Sequence, residues 1–327
     1  MPSAAHRTAP AEPRPESGRY SLGRITKYFS KAQPEQKENN AWNHPITSDA
    51  NGAFRVYLQN KHGVSRDAVQ NTQDLEVLRD LDVGCFCLTE TNLDWTRPYV
   101  KSEYLYQQRQ VLPFATTALS SIQLEATSDY RTGGTLTTAV GKWGTRVSEK
   151  TEDPSGLGRW SALTLVGKKK KRVTIITAYR CVRSNNDGSV WTHEKVYMST
   201  KMGKKAPHPR RQFIDDLIRF VQDKMKLSHE VLICMDANEV LGEESQGIAK
   251  LIRTCNLQDC MTLPESEGTT QLQDTYRRGK NRRIDFMLGT QAFMDARLRY
   301  GALAYNDGII SNHRGLYCDF DPQRLLG

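Results

Sequence analysis

Apolar residues recur along this chain with two spacings, one typical of strands and one typical of helices. Phe54, Val56 and Leu58 alternate along residues 54–59, which predicts a strand with one buried face. Apolar runs bounded by turn residues predict further strands at 83–88, 133–140, 160–166, 173–178, 231–235, 284–288, 298–304 and 315–320. Apolar positions three and four residues apart predict helices around 75–81, 214–225 and 248–255.

The order of these elements indicates the architecture. Strands outnumber helices, one helix follows the first strand, and others lie between later strands. Two stacked sheets covered by helices satisfy this pattern, so the predicted fold class is α/β, of the α+β kind. Residues 167–171 contain four lysines and join two strands as a hairpin. Residues 185–209 are polar and basic, which predicts a long irregular surface insertion.

The first 48 residues differ in composition from the rest of the chain. They contain six of the thirteen prolines, many charges and almost no periodic apolar residues. This composition predicts a disordered, basic and proline-rich tail over residues 1–48, followed by one domain over 49–327. The sequence shows no signal peptide and no spanning helix, so we expect a soluble intracellular protein, nuclear or cytoplasmic, without a membrane partner.

Charge and cysteine content narrow the partners. The net charge is +9, with basic runs at 168–172, 201–211 and 277–283, and a positive face attracts polyanions such as nucleic acid. The third run leads directly into Arg283-Ile284-Asp285. The seven cysteines are an odd number without two matched close pairs, so we expect neither zinc nor a structural disulfide.

Several side chains that can perform phosphodiester chemistry follow predicted strands. Asp285 stands between two apolar residues, and a buried carboxylate needs a strong partner to stay ionised. Acids, amides and a histidine at one sheet edge are suited to holding a divalent metal and attacking a phosphodiester. The candidates at or near strand ends are Asn60, Glu90, Tyr179, Asp236, Asn238, Asp285 and His313.

From about residue 52 to 320 the chain resembles the endonuclease/exonuclease/phosphatase superfamily, which includes abasic-site endonucleases and the endonuclease domains of non-LTR retrotransposons. The resemblance implies a four-layer sandwich, in which two stacked and mostly antiparallel sheets lie between helices, and a catalytic domain over 49–327. Six segments carry it in order: Leu58-Gln59-Asn60, Cys87-Leu88-Thr89-Glu90-Thr91, Ala178-Tyr179-Arg180, Met235-Asp236-Ala237-Asn238, Arg283-Ile284-Asp285-Phe286 and Ser311-Asn312-His313.

The resemblance also implies a role for each matching residue. Glu90 and Asn60 are expected to bind Mg²⁺, with Mn²⁺ as the alternative, because hard oxygen ligands suit these ions. Asp236 is expected to orient or deprotonate the attacking water. Asn238 is expected to hold that water and a phosphate oxygen, and Tyr179 to donate to the phosphate.

The histidine of the last motif has an expected partner. The resemblance implies that His313 contacts the phosphate and that Asp285 fixes its ring and favours the imidazolium.

Two departures from the superfamily pattern affect the metal. Asn312 stands where the superfamily has an aspartate, so the site loses a negative charge that serves catalysis and the metal. We expect the fold and substrate binding to persist, turnover to fall, and Asn312→Asp to recover it. His62 stands where a second oxygen ligand often lies, and a nitrogen donor there weakens the magnesium assignment.

The leading hypothesis is a magnesium-dependent endonuclease of retroelement type that nicks duplex DNA. Residues 309–316 resemble the segment with which retroelement endonuclease domains end. Two alternatives stay open: a phosphatase or phosphodiesterase acting on a small phosphorylated molecule, and a nucleic-acid-binding protein that has lost catalysis. The sequence does not indicate an oligomeric state. The residues predicted to contact DNA are Lys169, Lys170, Arg180, Arg277, Arg278, Arg282 and Arg283.

Overall fold

A computed structural model describes residues 41–125, 128–262, 272, 274–278 and 282–327. Contacts group residues Asn39–Gly327 into one compact unit. Residues 1–40, most of the predicted tail, lie outside the described residues. None of the helices in the described parts of the chain combines the length and apolar character that crossing a bilayer requires.

Strands supply most of the regular structure among the described residues. In chain order they are β1 (Trp42–Asn43), β2 (Phe54–Asn60), β3 (Cys85–Thr89), β4 (Thr116–Ser120), β5 (Thr135–Ala139), β6 (Val147–Glu152), β7 (Trp160–Val166), β8 (Arg172–Tyr179), β9 (His229–Asp236), β10 (Gln258–Asp259), β11 (Asp285–Gly289), β12 (Arg297–Ala302) and β13 (Leu316–Phe320). The helices are α1 (Ala68–Asp80), α2 (Pro98–Val111), α3 (Val190–Thr200), α4 (Pro209–Lys226), α5 (Ile248–Thr254), α6 (Gln291–Ala296) and α7 (Pro322–Leu326).

These strands form two sheets within the described part of the chain. The larger sheet has the order β1-β12-β13-β2-β3-β5-β4, and the smaller has the order β10-β11-β9-β8-β7-β6. Each sheet contains one parallel pair, β2 with β3 and β8 with β9, and its other described pairs are antiparallel. The predicted fold class, with two mostly antiparallel sheets, is confirmed.

Side chains on the two faces of the strands belong to different apolar cores, and three such cores account for the strand residues described next. On β2, Val56 and Leu58 belong to the core between the sheets, whereas Tyr57 belongs to the core beneath α1 and α2. On β9, Cys234 faces the same central core, whereas Ile233 packs in the layer with α4 and α5. Because strand side chains alternate between faces, each central strand contributes to two cores. Full burial of one large aliphatic or aromatic side chain stabilises the fold by roughly 1.5–3 kcal/mol.

The structure corrects the predicted start of the domain. Trp42–Asn43 pair with β12, and the backbone N–H of His44 donates to the Tyr300 carbonyl at 3.3 Å. Residues 41–48 therefore include a strand of the domain and are not part of a disordered tail. A two-residue strand has no periodicity, so only its partner strand reveals it.

The predicted insertion at 185–209 is also partly wrong, because it contains α3. Ser189 caps this helix by accepting a hydrogen bond from the Thr192 backbone N–H, and Tyr197 and Met198 are buried. Helix α2 was not predicted at all. Its sequence is largely polar and only a narrow stripe that includes Val100, Tyr104 and Val111 is buried, so the apolar repeat is weak.

The parallel pairs decide where functional side chains meet. Strands β2 and β3 run in the same direction, so residues that follow them leave the larger sheet at one edge. Strands β8 and β9 do the same in the smaller sheet, where Tyr179 is in register with Asp236. The two sheets are stacked so that these carboxyl ends meet.

Candidate active site

One amide group joins the ends of strands from both sheets. The side-chain Nδ2 of Asn60, at the end of β2, donates to Glu90 Oε2 at 2.9 Å and to Asp236 Oδ2 at 2.8 Å. Glu90 follows β3, and Asp236 ends β9 in the other sheet. Three residues that are far apart in the sequence therefore lie in direct contact at one edge of the sandwich.

A buried carboxylate–histidine pair completes this edge. Asp285 begins β11 and lies in register beside Asp236 of β9. His313 Nδ1 donates to Asp285 Oδ2 at 2.8 Å, and both side chains are almost fully buried. An acid in this position sets the tautomer, the orientation and the charge of the imidazole.

The segment that carries His313 is fastened to the end of β2. Gln59 Nε2 donates to the backbone carbonyls of Ile309 and His313 at 3.0 and 2.8 Å. The hydroxyl of Ser311 donates to the Asn60 carbonyl at 2.5 Å and accepts from the His313 N–H at 3.1 Å. Because these bonds fix the backbone, the imidazole is positioned without help from a ligand.

A second segment supports the dyad from the other side. The buried hydroxyl of Thr275 accepts hydrogen bonds from the backbone N–H groups of Ile284 and Asp285 at 3.0 and 3.1 Å. Tyr276 forms an antiparallel bridge with His313, and their rings pack with centroids 4.8 Å apart. The aromatic ring therefore restricts the movement of the histidine.

The surroundings shift the pKa values of the central groups. Burial lowers the pKa of His313, but the Asp285 carboxylate beside it and the charges of Asp236 and Glu90 outweigh burial and raise the pKa to about 9. Burial and then the Asp285 charge raise the pKa of Asp236 to about 7, against His313 and the hydrogen bond from Asn60. A divalent cation at this edge would lower both values.

Tyr179 remains a neutral phenol at physiological pH. Burial, followed by the charges of Glu90 and Asp236, raises its pKa well above the ordinary value. The hydroxyl is therefore a hydrogen-bond donor beside the carboxylates.

These groups line a cleft of about 690 Å³. Beside the residues described above, its wall includes Asn238 and Asn312, and its rim includes the exposed arginines Arg183, Arg278 and Arg282. Acidic and neutral oxygen donors lie at the floor, and the rim carries these cations together with Glu243, which ion-pairs with Arg282 at 3.1 Å. A cleft of this kind suits a polyanionic ligand. The rim arginines would attract its negative charge, and its reacting group would lie near the oxygen donors at the floor.

The donor set fits a hard divalent cation. The Glu90 side chain is 22% exposed to the cleft, so its carboxylate is accessible. Among the described residues, the buried Oδ1 of Asn312 has no hydrogen-bond partner, which is the condition expected of an oxygen whose partner is an ion. Carboxylate and amide oxygens are ligands that Mg²⁺ accepts.

Atoms of Asp236, Asp285 and His313 also lie within 4.8 Å of one another, a spacing that a metal could bridge. The imidazole, however, already donates to Asp285, and its raised pKa keeps it protonated. A protonated ring has no lone pair for a metal, so in this state the three residues are suited to handling protons, and Glu90 and Asn312 could offer oxygen atoms to a metal.

The structure brings together seven of the predicted catalytic and metal residues in this cleft: Asn60, Glu90, Tyr179, Asp236, Asn238, Asn312 and His313. Asp285 lies directly behind His313. The contacts of Asn60 differ from those expected of the metal ligand that was predicted. Its Oδ1 accepts a hydrogen bond from the His62 N–H at 2.9 Å, and its Nδ2 faces the carboxylates. Asn60 therefore acts as a hydrogen-bond donor that positions Glu90 and Asp236.

Two predicted DNA contacts are wrong because the arginines are engaged inside the protein. The guanidinium of Arg180 is fully buried and ion-pairs with Glu239 and with Glu244, the latter at 2.7 Å. Arg283 ion-pairs with Asp259 at 2.6 Å and lies over the Phe286 ring. Neither guanidinium is available to a phosphate.

The hairpin tip (Lys168–Lys171) is exposed but lies at the wrong end of the sheet. It joins the start of β8, whereas Tyr179 at the end of β8 borders the cleft. Seven residue steps of a strand separate the two by about 23 Å. Lys169 and Lys170 are therefore not placed to contact a phosphate at the cleft. Arg277, Arg278 and Arg282 are exposed on the cleft side, with the Arg277 N–H donating to the Asn312 carbonyl at 2.9 Å.

Sequence reasoning missed several residues of the site. Tyr276 and Arg183 line the cleft without belonging to a recognised segment. Arg210, at the start of α4, donates to the carbonyls of Cys181 and Asn238 at 2.8 and 3.2 Å and so supports the Asn238 loop. A basic residue at a helix start carries no sequence signal for such a role. His62 was noticed only as a departure, and it also lines the cleft.

Comparisons with known proteins identify the fold. No protein-family model matches the sequence, and no curated protein sequence matches it. Many solved structures are similar, and three of them are described here. The AP endonuclease LMAP from Leishmania major has a TM-score of 0.59 at 12% identity, covering 92% of this chain and 99% of that one.

The 3′ phosphatase NExo from Neisseria, bound to product DNA hairpin, has a TM-score of 0.56 at 14% identity, covering 82% of this chain and 100% of that one. The catalytic domain of APE2 from Xenopus laevis has a TM-score of 0.54 at 14% identity, covering 81% of this chain and 91% of that one. The chain thus shares the fold of these solved structures, which agrees at the level of fold with the predicted resemblance.

Proposed function

We propose that this protein is a metal-dependent phosphodiesterase of the retroelement endonuclease type that nicks duplex DNA. The observation that carries this proposal is the Asp285–His313 pair beside Asp236 and Glu90 in one cleft. A protonated histidine, a carboxylate with a pKa near neutrality and an accessible acid can act as proton donor, general base and metal ligand in phosphodiester hydrolysis. The fold neighbours named above, an AP endonuclease and a DNA-bound 3′ phosphatase, support DNA as the substrate class.

Each residue has a task that its surroundings favour. Asp236 accepts the proton of the attacking water, because its pKa of about 7 is suited to a general base at neutral pH. The His313 imidazolium, held by Asp285, donates to a phosphate oxygen as negative charge develops there. The Tyr179 phenol donates to the same phosphate group.

Glu90 and Asn312 would hold the divalent cation, either Mg²⁺ or Mn²⁺. When bound, it would neutralise charge on the phosphate and on the leaving oxygen. Asn312 contributes an oxygen but no negative charge, so this site should bind the ion more weakly than one with an aspartate there. We therefore propose a reduced turnover for this chain. Hydrolysis of this kind leaves a 3′-hydroxyl and a 5′-phosphate.

The rim arginines are placed to bind the DNA backbone. Arg183, Arg278 and Arg282 surround the cleft, and Arg277 lies next to Asn312. Contacts of this kind position a duplex without distinguishing its sequence. They also favour a polyanionic substrate over a small phosphorylated molecule, because a single phosphate group cannot contact several dispersed cations.

A plasmid-nicking assay with Mg²⁺ tests the proposal. The native chain should convert supercoiled DNA slowly to the nicked form, Asn312→Asp should do so faster, and His313→Ala should be inactive. End-labelling of the nicks should show 3′-hydroxyl and 5′-phosphate ends.

Two outcomes would replace the proposal. If DNA is bound but neither the native chain nor Asn312→Asp ever nicks it, the protein is a nucleic-acid-binding derivative. If a generic phosphate ester is hydrolysed, DNA stays intact and the salt dependence of DNA binding is flat, the substrate is a small phosphorylated molecule.

A further inference from the structure

An imidazole lies beside the accessible carboxylate of the cleft. His62 Nδ1 is 3.5 Å from Glu90 Oε1, and both side chains line the same cleft as Asn312. The His62 side chain is 63% exposed, so its ring nitrogens are open to solvent. One oxygen donor and one nitrogen donor are thus adjacent in the cleft that Asn312 also lines.

The backbone fixes this arrangement. After β2 the chain continues alongside the residues that follow β3: the Gly63 N–H donates to the Glu90 carbonyl and the Val64 N–H to the Thr91 carbonyl, both at 2.8 Å. The His62 N–H donates to Asn60 Oδ1 at 2.9 Å. The positions from which the imidazole and the carboxylate extend are therefore set by hydrogen bonds that do not involve their side chains.

Both residues also adopt an uncommon backbone conformation. His62 has a φ of 54° and Glu90 a φ of 52°, in the left-handed region that residues with a Cβ rarely occupy. Such conformations persist where the surrounding structure enforces them, and they concentrate at ligand-binding positions. An exposed ion pair at 3.5 Å is a weak interaction and does not by itself explain two such residues.

We propose that His62 is a nitrogen ligand of the same cation that Glu90 and Asn312 hold, and that it makes the site prefer Mn²⁺ over Mg²⁺. This inference rests on the proposed function and specifies its metal. Mg²⁺ strongly favours oxygen ligands and retains its waters, whereas imidazole is a better donor to transition metals. Asn312 also lowers the preference for Mg²⁺, because it supplies a neutral amide where an aspartate would supply a carboxylate anion.

Direct binding of Mn²⁺ to the full chain tests the inference without measuring activity. Titration followed by the EPR signal of free Mn²⁺, with Mg²⁺ as competitor, gives the affinity for each ion. His62→Ala should weaken Mn²⁺ binding by about tenfold or more, the range for losing one partner of a metal site, and Mg²⁺ binding by much less. His62→Asp, which the left-handed backbone also tolerates, should raise Mg²⁺ affinity and lower the Mn²⁺ preference.

Pulsed EPR on bound Mn²⁺ adds a spectroscopic signature. The native chain should show ¹⁴N modulation from a coordinated imidazole, and the modulation should vanish in His62→Ala. It should persist in His313→Gln, which excludes the other histidine of the cleft. Circular dichroism should show that both His62 variants remain folded, since His62 is exposed, and it also serves to check the fold of His313→Gln, whose side chain is buried.

The outcomes separate this inference from the proposed function. If Mn²⁺ binds and Glu90→Gln abolishes binding, but His62→Ala leaves the ¹⁴N modulation and the Mn²⁺ to Mg²⁺ ratio unchanged, the role of His62 is refuted and the metal-dependent function stands. If the native chain binds neither ion, or if Glu90→Gln binds both as well as the native chain, the proposed metal site itself is refuted.

Discussion

Replacing Asp285 with asparagine isolates the electrostatic part of the dyad. Asparagine preserves the shape of the side chain and can still accept the hydrogen bond that His313 Nδ1 now donates at 2.8 Å. It removes the negative charge that opposes the effect of burial on the imidazole. The change therefore alters the charge state of the histidine while leaving its position nearly the same.

The magnitude follows from the pKa. The fold raises the pKa of His313 from 6.5 to about 9, and 2.5 units correspond to about 3 kcal/mol in favour of the imidazolium. Since the raised pKa belongs to the folded state, this stabilisation is complete below pH 6.5 and is lost as the pH rises through about 9. With asparagine at 285 we expect a pKa near 6.5, so that at pH 7.5 about nine-tenths of the rings are neutral.

Two measurements test this expectation. An NMR titration of the imidazole in metal-free protein should give a pKa lower by about two units in Asp285→Asn. Nicking by the variant at pH 7.5 should fall by at least about tenfold, because the protonated fraction falls by that factor, and should partly recover near pH 6. Asp80→Asn, an exposed change at the end of α1, is the matched control and should alter neither quantity.

Two results would refute the expected role of Asp285. If the His313 pKa stays near 9 in Asp285→Asn, another group sets the charge of the ring. If the pKa falls but the pH profile of nicking does not change, the protonation state of His313 does not control the reaction.

Three further predictions follow from the same structure. Asn312→Asp should raise Mg²⁺ affinity and nicking by about ten- to hundredfold, measured by titration calorimetry and plasmid nicking, and equal values for both forms would contradict the role of the missing charge. Arg278→Ala with Arg282→Ala should reduce the salt dependence of DNA binding by about one to two ions in a filter-binding series, since Arg282 is shared with Glu243, whereas Lys169→Ala with Lys170→Ala should not; equal effects would place the DNA elsewhere. Arg180→Ala should destabilise the fold by about 3–5 kcal/mol in urea unfolding, because it leaves the buried Glu239 with the more distant Arg210, 3.8 Å away, while Arg219→Ala at an exposed arginine should cost less than about 1 kcal/mol.

Stacked sheets and the residues that end their strands were predictable from the chain alone. Alternation at Phe54, Val56 and Leu58 marks β2 because one face of that strand must avoid water. Polar residues directly after apolar strands, such as Asp236, are conspicuous because they interrupt the pattern. This local signal was sufficient for the fold class and for six residues of the cleft, and the superfamily resemblance added Asn312.

The tertiary structure alone decided which of the charged residues face the cleft. Arg180 and Arg278 are both arginines near recognised segments, yet one is sealed against Glu239 and the other is exposed at the rim. Whether a guanidinium is paired depends on carboxylates that come from distant parts of the chain, and sequence spacing does not encode that proximity. The hairpin-tip lysines show the same limit, because the direction of a strand relative to the site is a property of the assembled sheet.

The contact between His62 and Glu90 belongs to this second kind of information. The sequence shows a histidine two residues after a predicted ligand, which on its own is most simply a surface residue. Only the parallel pairing of β2 with β3 brings the residues after each strand side by side. Apolar periodicity thus determined the layers of this protein through burial, whereas the chemistry of the cleft was decided by which strand ends the packed sheets bring together.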